Sequence, residues 1–244
     1  MAKLVSVPQM LAIEKAADKS GLTYPQMMEN AGTSLADHII AHSHNLYHSV
    51  LGLAGPGNNG GDTLVALELL AQQGWKTTAF LVNREAEEKY VKRAAKSGAS
   101  IVVQDESGSR LAGLIGKHAV LLDGLLGTGI KLPLREPFGE VLAQIKEILG
   151  GLKNPPFIVA VDCPSGMDTE SGEIPAELLK ADLTVSMAAV KRGMLTLPAF
   201  SYLGELVVGD IGLTPDLPEW AEIHRYVIDV EMARVALPPR PLAA

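Results

Sequence analysis

The chain is short of cysteine, of aromatic side chains and of positive charge, and each shortage closes a route. Its single cysteine, Cys163, allows no internal disulfide, and no Cys/His arrangement of the zinc type accompanies it. A lone cysteine agrees with a reducing, cytoplasmic setting. Only 21 Lys and Arg stand against 28 Asp and Glu, a net charge of −7, so there is no electrostatic footprint for a nucleic-acid backbone. No apolar run nears the roughly 20 residues of a membrane span, and the start, Met1 to Pro8, lacks the apolar core of a signal peptide. The expected partner is a small molecule, with no nucleic acid and no membrane involved, held by a soluble protein.

What is present is 244 residues with 47% hydrophobic content, enough for a substantial core. One α/β domain is expected over residues 1–235, followed by a proline-rich linker over 236–244. Residues 7–19 read as an amphipathic helix with Met10, Ile13 and Ala17 on one face, and Pro25 opens a second helix to about residue 42. The pattern then changes to short apolar runs at 50–54, 77–82, 101–103, 120–122, 157–161, 183–187 and 206–208. Helical patterns at 63–73, 85–97 and 138–149 lie between them. Strands alternating with helices predict a Rossmann-like three-layer α/β/α sandwich with a mostly parallel sheet.

Three segments that follow strands carry chemistry-bearing residues. Gly55-Pro-Gly-Asn-Asn-Gly-Gly-Asp62 lies between the first of these strands and a helix; its glycines allow close backbone approach, and helix N–H groups there attract an anion such as phosphate. After the next strand stand Asn83 and Arg84 rather than the acid that an ordinary dinucleotide site uses on a ribose, which disfavours an NAD-dependent dehydrogenase. Asp123 then leads a loop through Gly127 and Lys131 to Pro133, suited to wrapping a phosphate; read alone, Asp123 is equally a turn cap and Lys131 a solvated side chain. The third segment is Val161-Asp-Cys-Pro-Ser-Gly-Met-Asp168. Asp162 is the candidate acid/base, and Cys163, with no base beside it in sequence, is a packed small residue.

In a parallel sheet, residues that follow strands gather along one edge, so Asn59, Asp123, Asp162 and Ser165 are expected to meet there. Their oxygens are hard donors suited to a group I or II cation. His38 and His42 have an i, i+4 spacing and lie near His44 and His48, but no cysteine or acid completes a metal site, and a polar helix face is the expected role.

These segments together resemble the NAD(P)H-hydrate epimerases, which form the N-terminal half of many bifunctional nicotinamide-nucleotide repair proteins. The likeness runs from about residue 7 to 213. It rests on Met28-Glu-Asn-Ala-Gly32, Gly55 to Asp62, Asp123 with Gly127-Thr-Gly129, Val161 to Gly166 with Asp168, and Ala181-Asp182-Leu-Thr-Val185 leading to Lys191 and Gly193. The resemblance implies interconversion of the R and S forms of hydrated NADH and NADPH (NADHX and NADPHX). It implies that Asn58, Asn59, Gly60, Gly61 and Asp62 contact the nucleotide. Gly127, Thr128, Gly129, Ile130, Lys131, Leu132 and Pro133 would bind its phosphates, and Asp162 would sit beside the nicotinamide end. Asn59, Asp123 and Ser165 would hold a potassium ion (K+). A homodimer through the N-terminal helices is also implied, and the joint after residue 236 resembles the one that leads into a dehydratase domain. Two departures stand out. Thr63 replaces a common glycine and is expected to cap a helix, and Val190-Lys191-Arg192 replaces a proline-containing segment, with Arg192 either near a phosphate or solvated. Relatives of this fold also act as non-catalytic modules, in messenger-RNA decapping or as lipoprotein-binding partners, but the intact polar cluster argues for an enzyme. A sugar- or nucleoside-kinase reading lacks a base beside an anion hole.

Overall fold

Local capping sets where the leading helices begin. Ser6 Oγ accepts from Gln9 N–H (3.3 Å) while Ser6 N–H donates to Gln9 Oε1 (2.9 Å), a capping box that starts α1 (Val7–Lys19) directly after the two-residue strand β1 (Leu4–Val5). Thr23 and Gln26 form the same reciprocal pair before α2 (Tyr24–His42). Met10, Ile13 and Ala17 are buried on α1, as their spacing predicts. The computed structural model describes residues 1–42, 46–105, 109–228 and 230–238.

The chain then runs through β2 (Ser49–Ala54), α3 (Asn58–Gln72), β3 (Lys76–Leu81), α4 (Lys89–Lys96), β4 (Ser100–Val103), α5 (Ser109–Ile115), β5 (Val120–Gly124), α6 (Phe138–Gly151) and β6 (Phe157–Val161). β7 (Leu183–Met187), β8 (Val190–Lys191), two short 3-10 turns, β9 (Glu205–Gly209), α7 (Pro218–Ala221) and α8 (Val230–Ala236) complete it. Seven strands pair in parallel in the order β4-β3-β2-β5-β6-β7-β9, and β1 pairs with β8 in a separate ribbon that sets Val5 opposite Lys191. Strand side chains alternate between faces: Val50 and Ala54 pack with α1, α2, α3 and α4, whereas Leu51 and Leu53 pack with α5 and α6. The central strands are thus buried on both faces, which is why they read as unbroken apolar runs. This is the expected Rossmann-like three-layer α/β fold.

The order of strands reverses between β2 and β5. Chain growth moves outward from β2 to β4, then crosses back so that β5 lies on the other side of β2. Connections leaving these two neighbours go to opposite faces and open a crevice at the strands' carboxyl ends.

Three boundaries differ from expectation. α3 begins at Asn58 rather than at residue 63, so Gly60, Gly61 and Asp62 belong to its first turns. Thr63 is an interior, fully buried residue whose Oγ1 donates to Asn59 O (2.8 Å) rather than capping the helix. Two adjacent glycines read as loop by propensity, and tertiary packing overrides them. α4 is shorter than residues 85–97, and α8 runs to Ala236, so the expected linker leaves a helix at Leu237; residues 239–244 lie outside the described residues.

Candidate active site

Three glycines of the Gly55–Asp62 run, Gly55, Gly60 and Gly61, are packing requirements of the crevice floor, whereas Gly57 faces open space. A Cβ on Gly55 would overlap the carbonyl of Leu125, which follows β5, and one on Gly60 would overlap the carbonyl of Gly55. A Cβ on Gly61 would come within 2.6 Å of Met28 Sδ on α2, and one on Gly32 would overlap Val65, so α2 and α3 cross nearly backbone to backbone. Arg84 ties the turn down: its guanidinium donates to Gly55 O and Gly57 O (3.2 Å to the latter) and pairs with Glu88. The residue standing where a dehydrogenase places its ribose-binding acid is therefore a buttress of the glycine turn, a role sequence reasoning missed.

Across this floor, β5 and β6 deliver one polar knot. Asp123 is buried; its carboxylate accepts Ser165 N–H (2.9 Å) on one oxygen and Ser165 Oγ–H (2.6 Å) on the other. Ser165 Oγ in turn accepts Leu126 N–H at 2.9 Å. Burial pushes the Asp123 carboxyl up while the hydroxyl and amide of Ser165 and the amide of Leu125 pull it down. Asn59 reaches the same place from α3, its amide donating to Val161 O (2.6 Å) and Leu126 O (3.2 Å). Gly127 is where the loop passes Asn59, since a Cβ there would lie 2.7 Å from Asn59 Oδ1. The expected Asn59–Asp123–Ser165 convergence is thus present.

Asp162 opens the second half of the site. Its backbone is left-handed (φ 63°), a conformation Asp adopts more readily than most residues and one that turns its side chain back toward β7. Oδ1 accepts from Met187 N–H (2.8 Å), from the Lys191 ammonium and from Ser186 Oγ (3.4 Å). Oδ2 carries no hydrogen bond among the described residues. Lys191 is only 1% exposed, and its ammonium also donates to Met187 O (2.9 Å) and Ser186 Oγ (3.3 Å). The β7–β8 turn, with Ala188 at φ 61°, folds the chain back to place it, and pairing with β1 holds it. The sequence marked Lys191 by resemblance alone and gave it no role.

Two further acids face this pair. Asp62 on α3 is 6% exposed with no hydrogen-bond partner among the described residues; burial first, then the charges of Asp162 and Glu14, push its carboxyl well above the usual range, against smaller pulls from Arg84 and Lys191. Glu14 on α1 is raised by burial, lowered by Lys191 and raised by Asp162. Glu14 was not anticipated: on a helix wheel it reads as an ordinary surface acid beside the buried Ile13 and Ala17.

Glu14, Asn59, Asp62, Asp162 and Lys191 line one cavity of about 550 Å³, within the span usual for small-molecule sites. Met10, Met27, Met28 and Met187 supply apolar wall; Asn58, Asn59, Asp62, Asp162 and Lys191 supply the polar points; Gly127, Thr128, Gly129 and Ile130 form the rim. Of the expected contact residues, Gly60 and Gly61 lie behind this surface as packing glycines. Lys131, Leu132 and Pro133 lie beyond the rim, and Lys131 is exposed. Asp123 and Ser165 sit just beneath the lining.

Several other expectations resolve here. Cys163 is fully buried and burial pushes its thiol up, as a packing residue requires. Arg192 pairs with Glu170 and does not line the cavity. His42 bonds to His38 O and to Glu205, and His48 stacks on Trp75 at 4.4 Å, while His44 lies outside the described residues. No group of three His, Cys, Asp or Glu side chains suited to a metal occurs among the described residues, and no helix among them is long and apolar enough to cross a membrane.

A glycine-rich helix start, a buried acid pair and a cavity at the strand-order reversal define the small-molecule site of a Rossmann-like α/β domain. The family model described as YjeF-related protein N-terminus matches residues 25–193, and the chain belongs to that family. It is 34% identical over 204 residues to the NAD(P)H-hydrate epimerase of Microbacterium testaceum, covering 84% of this chain and 77% of that protein. It is 33% identical over 217 residues to the NAD(P)H-hydrate epimerase of Cenarchaeum symbiosum, covering 87% and 96%. Against the bifunctional NAD(P)H-hydrate repair enzyme Nnr of Coxiella burnetii it is 31% identical over 212 residues, covering 84% of this chain but 41% of that one. The chain thus spans about two fifths of the length of such bifunctional relatives. The crystal structure of yeast ynu0, YNL200c, has the same fold, with a TM-score of 0.74 at 25% identity over 93% of this chain and 96% of that one.

Proposed function

We propose that the protein is an NAD(P)H-hydrate epimerase that interconverts the R and S forms of NADHX and NADPHX. The observation that carries this reading is Asp162, anchored through Oδ1 by Lys191 and the Met187 amide, with its free Oδ2 on a methionine-walled cavity at the sheet's reversal point. The reaction inverts one hydrated ring carbon without redox change, so it needs proton transfer and a pocket for a flat ring. Asp162 supplies the first and the methionines the second. The nucleotide's phosphates lie toward Asn58 at the start of α3 and along Gly127, Thr128, Gly129 and Ile130, and Lys131, Leu132 and Pro133 extend that loop toward the outer phosphate. The names of the relatives point the same way.

Asn59, Asp123 and Ser165 fit a potassium ion by their chemistry: three buried oxygen-bearing side chains, with the lone nearby thiol protonated and turned into the core. When bound, the ion would balance the buried Asp123 carboxylate and so stiffen the Gly127 loop beneath the phosphates. The bifunctional names of the longer relatives make a dehydratase the expected partner. We further assign a homodimer that uses α1 and α2, and a cytoplasmic setting; sedimentation of the purified protein tests the first.

The test is incubation with a chirally resolved NADHX epimer followed by chiral chromatography. Equilibration of the two forms is expected, and Asp162→Asn, which keeps a side chain of the same shape, loses about 10²-fold or more. Binding without interconversion would instead favour a non-catalytic module. The ion is tested by titrating K+ against Na+ in the same assay.

A further inference from the structure

Asp62 is a buried acid with nothing to do in the fold. It has no hydrogen-bond partner among the described residues, caps no helix, forms no ion pair and lines the cavity together with Asp162. An unpaired buried carboxyl is costly, so its presence in the first turns of α3 calls for a reason beyond packing. The neighbouring acid, Asp162, has the opposite surroundings: a lysine ammonium and a backbone amide on Oδ1. Two carboxyl groups on one cavity, one unpartnered and one paired with a cation, form the arrangement that divides acid and base roles in carboxylate enzymes.

We propose that Asp62 is the proton donor of the epimerisation, working with Asp162 as the acceptor. This rests on the epimerase reading above. The Asp62 carboxyl gives its proton to the ring hydroxyl; the carbon–oxygen bond breaks with its electron pair on oxygen, and water leaves. The ring-nitrogen lone pair forms a C=N bond, giving a cation flanked by the Asp162 carboxylate. Water then adds to the other face of that carbon, the C=N pair returns to nitrogen, and the added water's proton passes to Asp162 Oδ2. One proton is released and one is taken up, and exchange with solvent through the cavity mouth resets the pair. The charged and titratable groups facing Asp62 are Asp162 and Glu14, which favour its protonated form, Arg84 and Lys191, which oppose it, and Tyr90 of α4, itself raised by burial.

Asp62→Asn is expected to lower kcat by about 10²- to 10⁴-fold with KM changed by less than about threefold, and Asp62→Glu to recover part of the loss. In the wild type, kcat/KM falls as pH rises through the Asp62 titration, because the donor form is lost; Asp62→Asn abolishes that alkaline limb. Glu14→Gln removes a charge that holds the proton on Asp62 and moves the limb to lower pH, a readout that a purely structural role for Asp62 leaves unmoved. An Asp62→Asn enzyme within about tenfold of wild-type kcat that keeps the same limb overturns the proposal. Should Asp62→Asn fail to fold, an unshifted limb in Glu14→Gln overturns it equally. A wild-type protein that leaves both epimers untouched sinks the epimerase reading itself, a result distinct from either.

Discussion

Replacing Lys191 by methionine tests whether the Asp162–Lys191 pair is a coupled unit. The substitution keeps most of the unbranched stem but deletes the ammonium, which donates to Asp162 Oδ1, Ser186 Oγ and Met187 O. Both partners are at most 7% exposed, so water cannot replace the lost charge, and Asp162 keeps only the Met187 amide at full strength. Breaking a buried ion pair from one side costs about 3–5 kcal/mol. For a domain of this size each kcal/mol lowers Tm by about 2–4 °C, which gives a fall of about 6–20 °C. Combining Lys191→Met with Asp162→Asn removes the stranded charge and should recover about 2 kcal/mol or more, a coupling that thermal and urea unfolding of the four proteins in the cycle measures. A single variant within about 1 kcal/mol of wild type, with additive effects, would show that the two side chains are not one energetic unit.

Asp62→Asn should trade activity for stability. A folded-state carboxyl raised by burial holds its proton after the unfolded chain has lost it, so wild-type stability from this group is present below about pH 4 and declines as pH rises through the folded value. The Tm advantage of Asp62→Asn over wild type should therefore grow from acid to neutral pH in a melting series, and a constant difference would contradict the burial argument. Gly124→Ala places a methyl against Thr63 Oγ1 and 2.9 Å from Asn59 O, and relief requires α3 to lift from β5. A loss of about 1–3 kcal/mol, read by urea denaturation, is expected together with slower epimerisation. Asn59→Ala removes the amide that bridges Leu126 O and Val161 O, and it should weaken any K+ dependence of the rate, read by salt titration.

Most of the fold was legible because a doubly covered parallel sheet leaves coarse marks in sequence. Residues 157–161 and 183–187 are apolar runs between polar breakers, and they are strands at those limits. What was illegible depends on contacts distant in sequence. β1 and β8 have two residues each, too few for any period, and exist only because Val5 meets Lys191 across the fold. The start of α3 was misplaced because Gly60 and Gly61 oppose a helix by propensity, while the crossing with α2 and the floor at Gly55 require them there. The carboxyl-end rule gathered Asn59, Asp123, Asp162 and Ser165, since each lies at or just past the carboxyl end of a strand. It had no way to reach Lys191 or Glu14, which arrive from the separate β1–β8 ribbon and a leading helix, and it set Arg84 after β3 without revealing that its guanidinium reaches back to the Gly55 turn.

On the epimerase reading, the charges around the cavity also set how the nucleotide would be oriented. Glu14, Asp62 and Asp162 lie together around Lys191, which is committed to Asp162, so on the epimerase reading they offer a carboxylate to a ring that becomes cationic as its hydroxyl departs and no free cation to a pyrophosphate. The rim offers the backbone N–H groups at the start of α3, uncapped by any side chain, and a glycine loop, which favour anions. A nucleotide placed the other way would set phosphate beside the acids, where Lys191 is already committed to Asp162, and a neutral ring against unsatisfied amides. On that reading the topology fixes more than a location: by ending β2 in a helix start and β6 in a lysine-anchored acid, it gives one crevice an anion-binding part and an acidic part, and the proposed chemistry falls at the acidic one.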